Sequence, residues 1–212
     1  TDVATTGTAM VSATMGTRTS TGSVTVSTGA DHLVINEVDY DNVGTDSAEF
    51  IEIFNPSPAT QSLAGKSVML VNGADSTVYA TIDLSSAGSL PSHGYLVIAG
   101  ANVTVNAPAV KIDPGWSSNE IQNGPPDGIA LVDTTGPTLI DALSYEGSIT
   151  MAQLTGFASP VSLVEGTPLA STVADSNTTD GSLCRSPNGQ DTDDANTDWK
   201  FCTTPSAGTA NP

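Results

Sequence analysis

The amino-acid sequence predicts an all-β protein, a β-sandwich preceded by an extended N-terminal arm. Three observations carry that expectation. The 212 residues include 20 Gly and 13 Pro, and Ser, Thr, Asn and Asp fill most of the remaining polar positions, whereas Lys and Glu, the usual solvated helix formers, are scarce. From residue 31 onward, short apolar runs recur, each bounded by turn residues. No run of about ten residues carries a convincing helical period.

The first element is a segment of low charge, residues 1–31, read as a Thr-rich arm. Ten of its first thirty residues are Thr, and only Asp2 and Arg18 are charged before residue 31. That composition suits a linker or a glycosylated stalk. The alternation argues for a strand instead: Ala9, Val11, Ala13 and Met15 share one face of an extended chain, and Val24 and Val26 repeat the pattern. A strand has to satisfy its backbone groups on a sheet edge, belonging either to its own domain or to a neighbouring copy.

Residues 32–212 read as the sandwich. Its strands are expected at Leu33–Val38, Glu49–Asn55, Val68–Val71, Val78–Leu84, Tyr95–Ala99, Ile129–Asp133 and Leu139–Tyr145. Asn55-Pro56, Asn72-Gly73, Pro91–Gly94, Gly124–Gly128 and Gly136-Pro137 supply the turns. In EFIEIFN, Phe50 and Phe54 flank Glu52 on one face and Ile51 and Ile53 occupy the other. Residues 146–181 are weakly patterned and read as loop.

The charge balance excludes whole classes of function. Lys and Arg total 5 against 23 Asp and Glu, a net charge of -18. So few cations cannot neutralise a run of phosphates, so nucleic acid is not an expected partner. An anionic lipid surface would repel the chain, and no apolar run is long enough for a membrane insertion. The N-terminus shows no basic-then-apolar leader, which reads as a processed chain or one that never carried a signal. A surface of Thr and Ser is expected outside the cell.

Two acidic loops are candidate calcium sites, because a hard cation takes six to eight oxygens from carboxylates and backbone carbonyls. The first holds Asp39, Asp41, Asp46 and Glu49 around Gly44; the second holds Asp191, Asp193, Asp194 and Asp198. Neither has EF-hand spacing, and each also suits a solvated or Asx-turn loop. Cys184 and Cys202 are expected to form one disulfide across the second loop. A loop that short contributes about 3 kcal/mol in the chain-entropy treatment.

Catalysis finds little support. The chain has two His, His32 and His93, and no GxSxG elbow. Glu37 and Glu52 lie mid-strand and could face one another, but hydrogen bonding within the sheet is the simpler role. Asn102-Val103-Thr104 and Asn177-Thr178-Thr179 match glycosylation acceptors, a weak signal.

The order of several segments resembles a known family. LVINEV, EFIEIFNP, Leu63-Ala64-Gly65, HGYLVIAG and Pro126–Val132 occur in succession, followed by DALSYEG at Asp141–Gly147, Glu165–Pro168, SLCRSPNGQDTDD at Ser182–Asp194 and TPSAGTANP at Thr204–Pro212. Together they resemble the lamin-tail domain in its secreted prokaryotic form, over roughly residues 32–212. One departure is Lys66, where the family often carries Trp after the Gly. The resemblance implies an immunoglobulin-like β-sandwich without catalytic activity of its own. The arm, the acidic, base-poor composition and the two candidate calcium loops lead to the expectation of an extracellular structural subunit that forms a homo-oligomer by strand addition through the arm. The alternative is a monomeric calcium-binding adhesion or carbohydrate-binding module.

Overall fold

The computed structural model describes the backbone of residues 6–15, 18–27 and 30–212, and the side chains from residue 30 onward. The arm contains two strands rather than one: β1 (Thr6–Met15) and β2 (Arg18–Ser27). They pair antiparallel from Thr6↔Ser27 to Met15↔Arg18. Two ten-residue segments rich in Thr and Ser supply each other's backbone partners, so the arm needs no foreign edge to form this ladder.

The remaining elements follow in order: β3 (Val34–Asp39), β4 (Phe50–Phe54), β5 (Gln61–Ser62), β6 (Lys66–Asn72), β7 (Thr77–Asp83), β8 (Ser89–Leu90), β9 (Tyr95–Ala99), β10 (Val110–Ile112), β11 (Asp127–Asp133), β12 (Thr138–Tyr145), β13 (Ser182–Arg185), the single-turn helix α1 (Ala195–Asp198) and β14 (Trp199–Cys202). One sheet has six strands in the order β10-β9-β4-β3-β13-β14, and the other has four, β12-β11-β6-β7. A two-strand pair, β5-β8, stands apart from both. All seven expected strands are present, and residues 146–181 hold only isolated bridges.

The core lies between the two sheets. Ile35, Val38, Ile51, Ile53, Leu96 and Ile98 from one meet Val68, Leu70, Ile129, Leu131 and Leu143 from the other. The alternation in β4 falls as its sequence implies: Ile51 and Ile53 enter this core, while Phe50 and Phe54 lie in separate clusters. Yet β3 and β4 are buried at every position. The second face of the six-stranded sheet is covered too, in part by the C-terminal segment, whose Ala207 packs with Phe50, Val97 and Ala99.

Glu37 and Glu52 attach that segment. They are register partners across β3 and β4, and both are fully buried. Glu37 accepts hydrogen bonds from Ser182 Oγ at 2.6 Å, Ser206 N at 2.9 Å and Ser206 Oγ at 2.6 Å. Glu52 accepts from Asn36 Nδ2 and from Gly208 N, each at 2.7 Å. Gly208 has φ +90°, and a Cβ there would lie 2.7 Å from the Asn106 carbonyl oxygen, so only glycine fits this approach. The two glutamates hydrogen-bond within the fold, the simpler of the roles open to them.

Cys184 and Cys202 form the expected disulfide, with Cα atoms 6.0 Å apart, and enclose the second acidic loop. Lys66, at the departure from the family pattern, lies opposite Asp133 in register with Nζ 3.2 Å from its carboxylate.

Candidate functional site

The second acidic loop is organised around Arg185, the last residue of β13 and fully buried. Its guanidinium donates from Nε to the Ile35 carbonyl at 2.8 Å, from Nη1 to the Gln190 carbonyl at 2.8 Å and from Nη2 to Asp141 Oδ1 at 2.8 Å. Asp191 and Asp198 lie 3.3 Å from Nη1, and Glu165 lies 3.5 Å from Nη2. The Trp199 ring lies below the guanidinium, 5.0 Å from centroid to Cζ. A planar fork with five donors suits such a site in a way an ammonium would not.

Each carboxylate here has further partners. Asp141 accepts from Ile35 N at 2.6 Å and from Ala142 N at 2.8 Å. Asp198 accepts from Thr192 N, Thr192 Oγ1 and Gln190 Nε2 at 2.7, 2.9 and 3.0 Å. Asp191 Oδ2 lies 3.0 Å from His32 Nε2. Burial by itself would raise Asp191, but the His32 hydrogen bond and the Arg185 charge outweigh it and hold the carboxyl down at about 2. His32 is raised in turn, chiefly by the Asp191 bond and against its own burial. Glu165 is raised by burial and by the charge of Asp141, and Arg185 offsets only part of this.

Of the residues expected in this calcium site, Asp191 and Asp198 therefore face the Arg185 guanidinium. Asp194 caps α1, accepting from Thr197 N at 3.0 Å. Asp193 is raised, first by burial and then by the charge of Asp191. Among the described residues, one set of three acidic or imidazole groups brings ligand atoms within 4.8 Å of one another: Asp141, Glu165 and Asp191. Arg185 already occupies that cage.

The first acidic loop divides its carboxylates among separate partners. Glu49 accepts from Glu120 N at 2.8 Å and Ile121 N at 3.0 Å. Burial raises it against those bonds to about 7. Asp41 is half-buried, and its N–H donates to Asp175 Oδ2 at 3.2 Å. Asp39 accepts from Asn42 Nδ2 at 2.5 Å. It is pushed up to about 9, first by burial and then by the charges of Asp175, Asp180, Glu37 and Glu49. Asp46 is only 7% exposed, and its Oδ1 has no hydrogen-bond partner. Beside this loop a cleft of about 550 Å³ mixes polar side chains, among them Asp39, Asn42, Asn102 and Asp180, with apolar ones such as Val43 and Phe50.

The arm residues come together more completely. The register pairs Ala9 with Val24 and Gly7 with Val26, and it places Val11, Ala13 and Met15 on that same face. The other face carries Thr6, Thr8, Ser12, Thr14, Thr19, Thr21, Ser23, Thr25 and Ser27, with Met10 as its apolar exception. All six apolar positions anticipated for the arm thus share one side of a two-stranded ribbon.

Sequence reasoning missed Arg185, His32, Asp141, Glu165 and Asp175. A signal existed for the first: one of only five basic residues lies just ahead of a run of Asp. A lone cation so placed is a candidate counter-ion for them.

Two facing sheets with the main core between them and almost no helix define an immunoglobulin-like β-sandwich. The family model described as Lamin Tail Domain matches residues 26–147, and the chain belongs to that family. This family is generally non-enzymatic. The match ends after β12, yet β13 pairs with β3 inside it, so the folded sheet continues past the matched region. A search of curated proteins finds no match. No helix among the described residues is long and apolar enough to cross a membrane.

Replacing Arg185 with Met should leave Asp141, Asp191 and Asp198 without their cation and cost about 3–5 kcal/mol in a urea unfolding experiment. Arg185→Lys should recover only part of the loss, because the fork is gone. A Met variant as stable as the parent would show that the cluster is not a structural centre.

Stability should also depend on pH. Carboxyls with raised folded pKa values bind protons more tightly when folded, so their contribution is present at low pH and lost as pH rises through the folded value. Those values are about 6 for Asp175, where burial outweighs its backbone bonds, and about 8 for Glu52, where burial outweighs bonds from Asn36 and Gly208. Asp191 works in the opposite direction, and its contribution is lost as pH falls from its ordinary value to about 2. Melting temperatures should therefore peak near about pH 4–5 and decline toward about pH 9. Glu52→Gln should flatten the alkaline decline; an unchanged slope would remove Glu52 as its source.

Proposed function

We propose that this protein is an extracellular structural subunit that associates with copies of itself through its N-terminal ribbon. The ribbon carries the reading. It has two ten-residue strands with apolar positions gathered on one face, and among the described residues it pairs with no strand of the sandwich. A lone two-stranded ribbon is marginal in water, and a one-sided apolar face gains stability only when covered. Charge supports the same reading. The ribbon carries Arg18 as its single charge, whereas the whole chain stands at -18, so the ribbon approaches another copy with little repulsion. The disulfide and the Thr-rich, Lys-poor composition support a location outside the cell.

A chain lacking residues 1–30 should retain the cooperative unfolding of the sandwich and lose the ability to form assemblies, as measured by light scattering and negative-stain microscopy. Assemblies of the same shape without the ribbon would reject the proposal. A full chain that stays monomeric at all concentrations, with and without chelator, would favour the module reading instead.

A hard divalent cation, calcium by its preference for oxygen, is the proposed cofactor, held beside Asp39. The support is the cleft that carries the carboxylates of Asp39 and Asp180; separately, Asp46 of the same acidic loop has a buried oxygen without a hydrogen-bond partner. Binding at a free concentration a hundredfold above Kd would stabilise the fold by about 2.7 kcal/mol. Calcium should accordingly raise the melting temperature, a chelator should reverse the rise, and Asp39→Asn should abolish it. An unchanged melting temperature in excess calcium rejects this cofactor.

A further inference from the structure

We infer that the outer edge of β7 accepts the N-terminal ribbon of a second copy of this chain, extending its four-stranded sheet. The inference rests on the ribbon-mediated association proposed above and names the surface that receives it. Four strands lie at sheet edges in the sandwich: β10, β14, β12 and β7. β10 has three residues and β14 has four, too short to hold a ten-residue ribbon along much of its length. β12 is longer, but Ala142 N donates to Glu165 as well as to Asp141, and Asp141 is bound to Ile35 N and Arg185. Its outer side is therefore engaged by β3 and by the loop that carries Glu165.

β7 differs on each count. It spans seven residues, Thr77 to Asp83, and among the described residues its outer edge forms one isolated β-bridge, from Thr77 to Gln153. Edge strands are commonly protected by Lys, Pro or a bulge. This one has no Lys or Pro, and its irregularity falls at Tyr79, leaving Ala80–Asp83 in regular register with β6. Its exposed positions alternate as Tyr79, Thr81 and Asp83, the pattern of a strand that presents one face.

Two further observations bear on the partner. Of three large apolar side chains exposed among the described residues, Tyr79 at 36% lies on β7 and Met151 at 60% lies two residues from Gln153. Two of the three thus belong to β7 or to the segment bridged to it, although the Tyr79 hydroxyl also accepts from Gln122 N at 2.9 Å. Charge is complementary as well: exposed Asp75 and Asp83 bracket β7, and the ribbon's only charged residue is Arg18. A Thr- and Val-rich strand of low charge is the chemistry that adds to such an edge, with main-chain hydrogen bonds supplying the affinity. Donor and acceptor are different surfaces, so the contact is head-to-tail and can propagate.

The experiment uses full-length chains and exploits the fact that both native cysteines are in the disulfide. One chain carries Thr81→Cys, and a second, differently tagged, carries Ser12→Cys or Ser23→Cys. Mixing them under mild oxidation should give a covalent heterodimer several-fold above the yield from a Lys200→Cys control on β14. Thr81→Lys, an exposed edge substitution, should cut assembly at least tenfold while leaving the unfolding midpoint close to the parent. Crosslinking that favours Lys200→Cys, with assembly still lost on removal of residues 1–30, would overturn β7 as acceptor and leave the ribbon reading standing. Assembly that survives removal of residues 1–30 would overturn both. A Ser12→Cys/Thr81→Cys double variant that crosslinks only within one chain would overturn the intermolecular contact.

Discussion

The buried guanidinium of Arg185 is the constraint on which the rest of the sandwich depends. It extends from the end of β13, in the six-stranded sheet, to Asp141 on β12, in the four-stranded sheet. It also holds the carbonyl of Ile35 on β3, and two carboxylates of the loop between β13 and β14. A cation taken wholly out of water is tolerated only where opposite charges and hydrogen-bond acceptors surround it. Those acceptors come from β3, β12 and the loop after β13, so this one side chain ties three stretches of chain to β13. The nearby disulfide closes the same loop covalently.

Acidity in this protein is partly an interior property. Glu37, Glu52, Asp39, Asp141, Asp191 and Asp198 are all buried, although the total of -18 suggests a solvated surface. All but Asp39, which accepts from the Asn42 side chain, serve as acceptors for backbone N–H groups. Glu37 and Glu52 attach the C-terminal segment across the sheet, and Glu49 receives two consecutive amides of the loop at Glu120 and Ile121. Ser and Thr hydroxyls join in, at Ser182, Ser206 and Thr192. A chain poor in Lys thus satisfies its polar core with carboxylates, hydroxyls and a single arginine.

The contrast between the two ends of the chain bears on function. The sandwich covers its polar interior completely enough that both faces of β3 and β4 are buried. The ribbon gathers its apolar positions on one side and, among the described residues, pairs only with itself.

The sequence by itself determined the fold class, the seven principal strands and the pairing of its two cysteines. Those follow from local alternation, turn residues and composition, which act within a few residues of one another. It also determined that Ala9, Val11, Ala13 and Met15 share one face of an extended chain and that Val24 and Val26 share one, because a period of two survives whatever the strand pairs with; only the antiparallel register brings the two sets to the same side. Only the tertiary structure decided that the arm folds back on itself, and that Asp191 and Asp198 face Arg185. It alone brought Asp141, Glu165 and His32 to the same cluster. The reason is distance along the chain: Ile35 and Arg185 are 150 residues apart, and His32 and Asp191 are 159 apart. Which buried charge neutralises which is set by the packing of two sheets, and no local pattern encodes that choice.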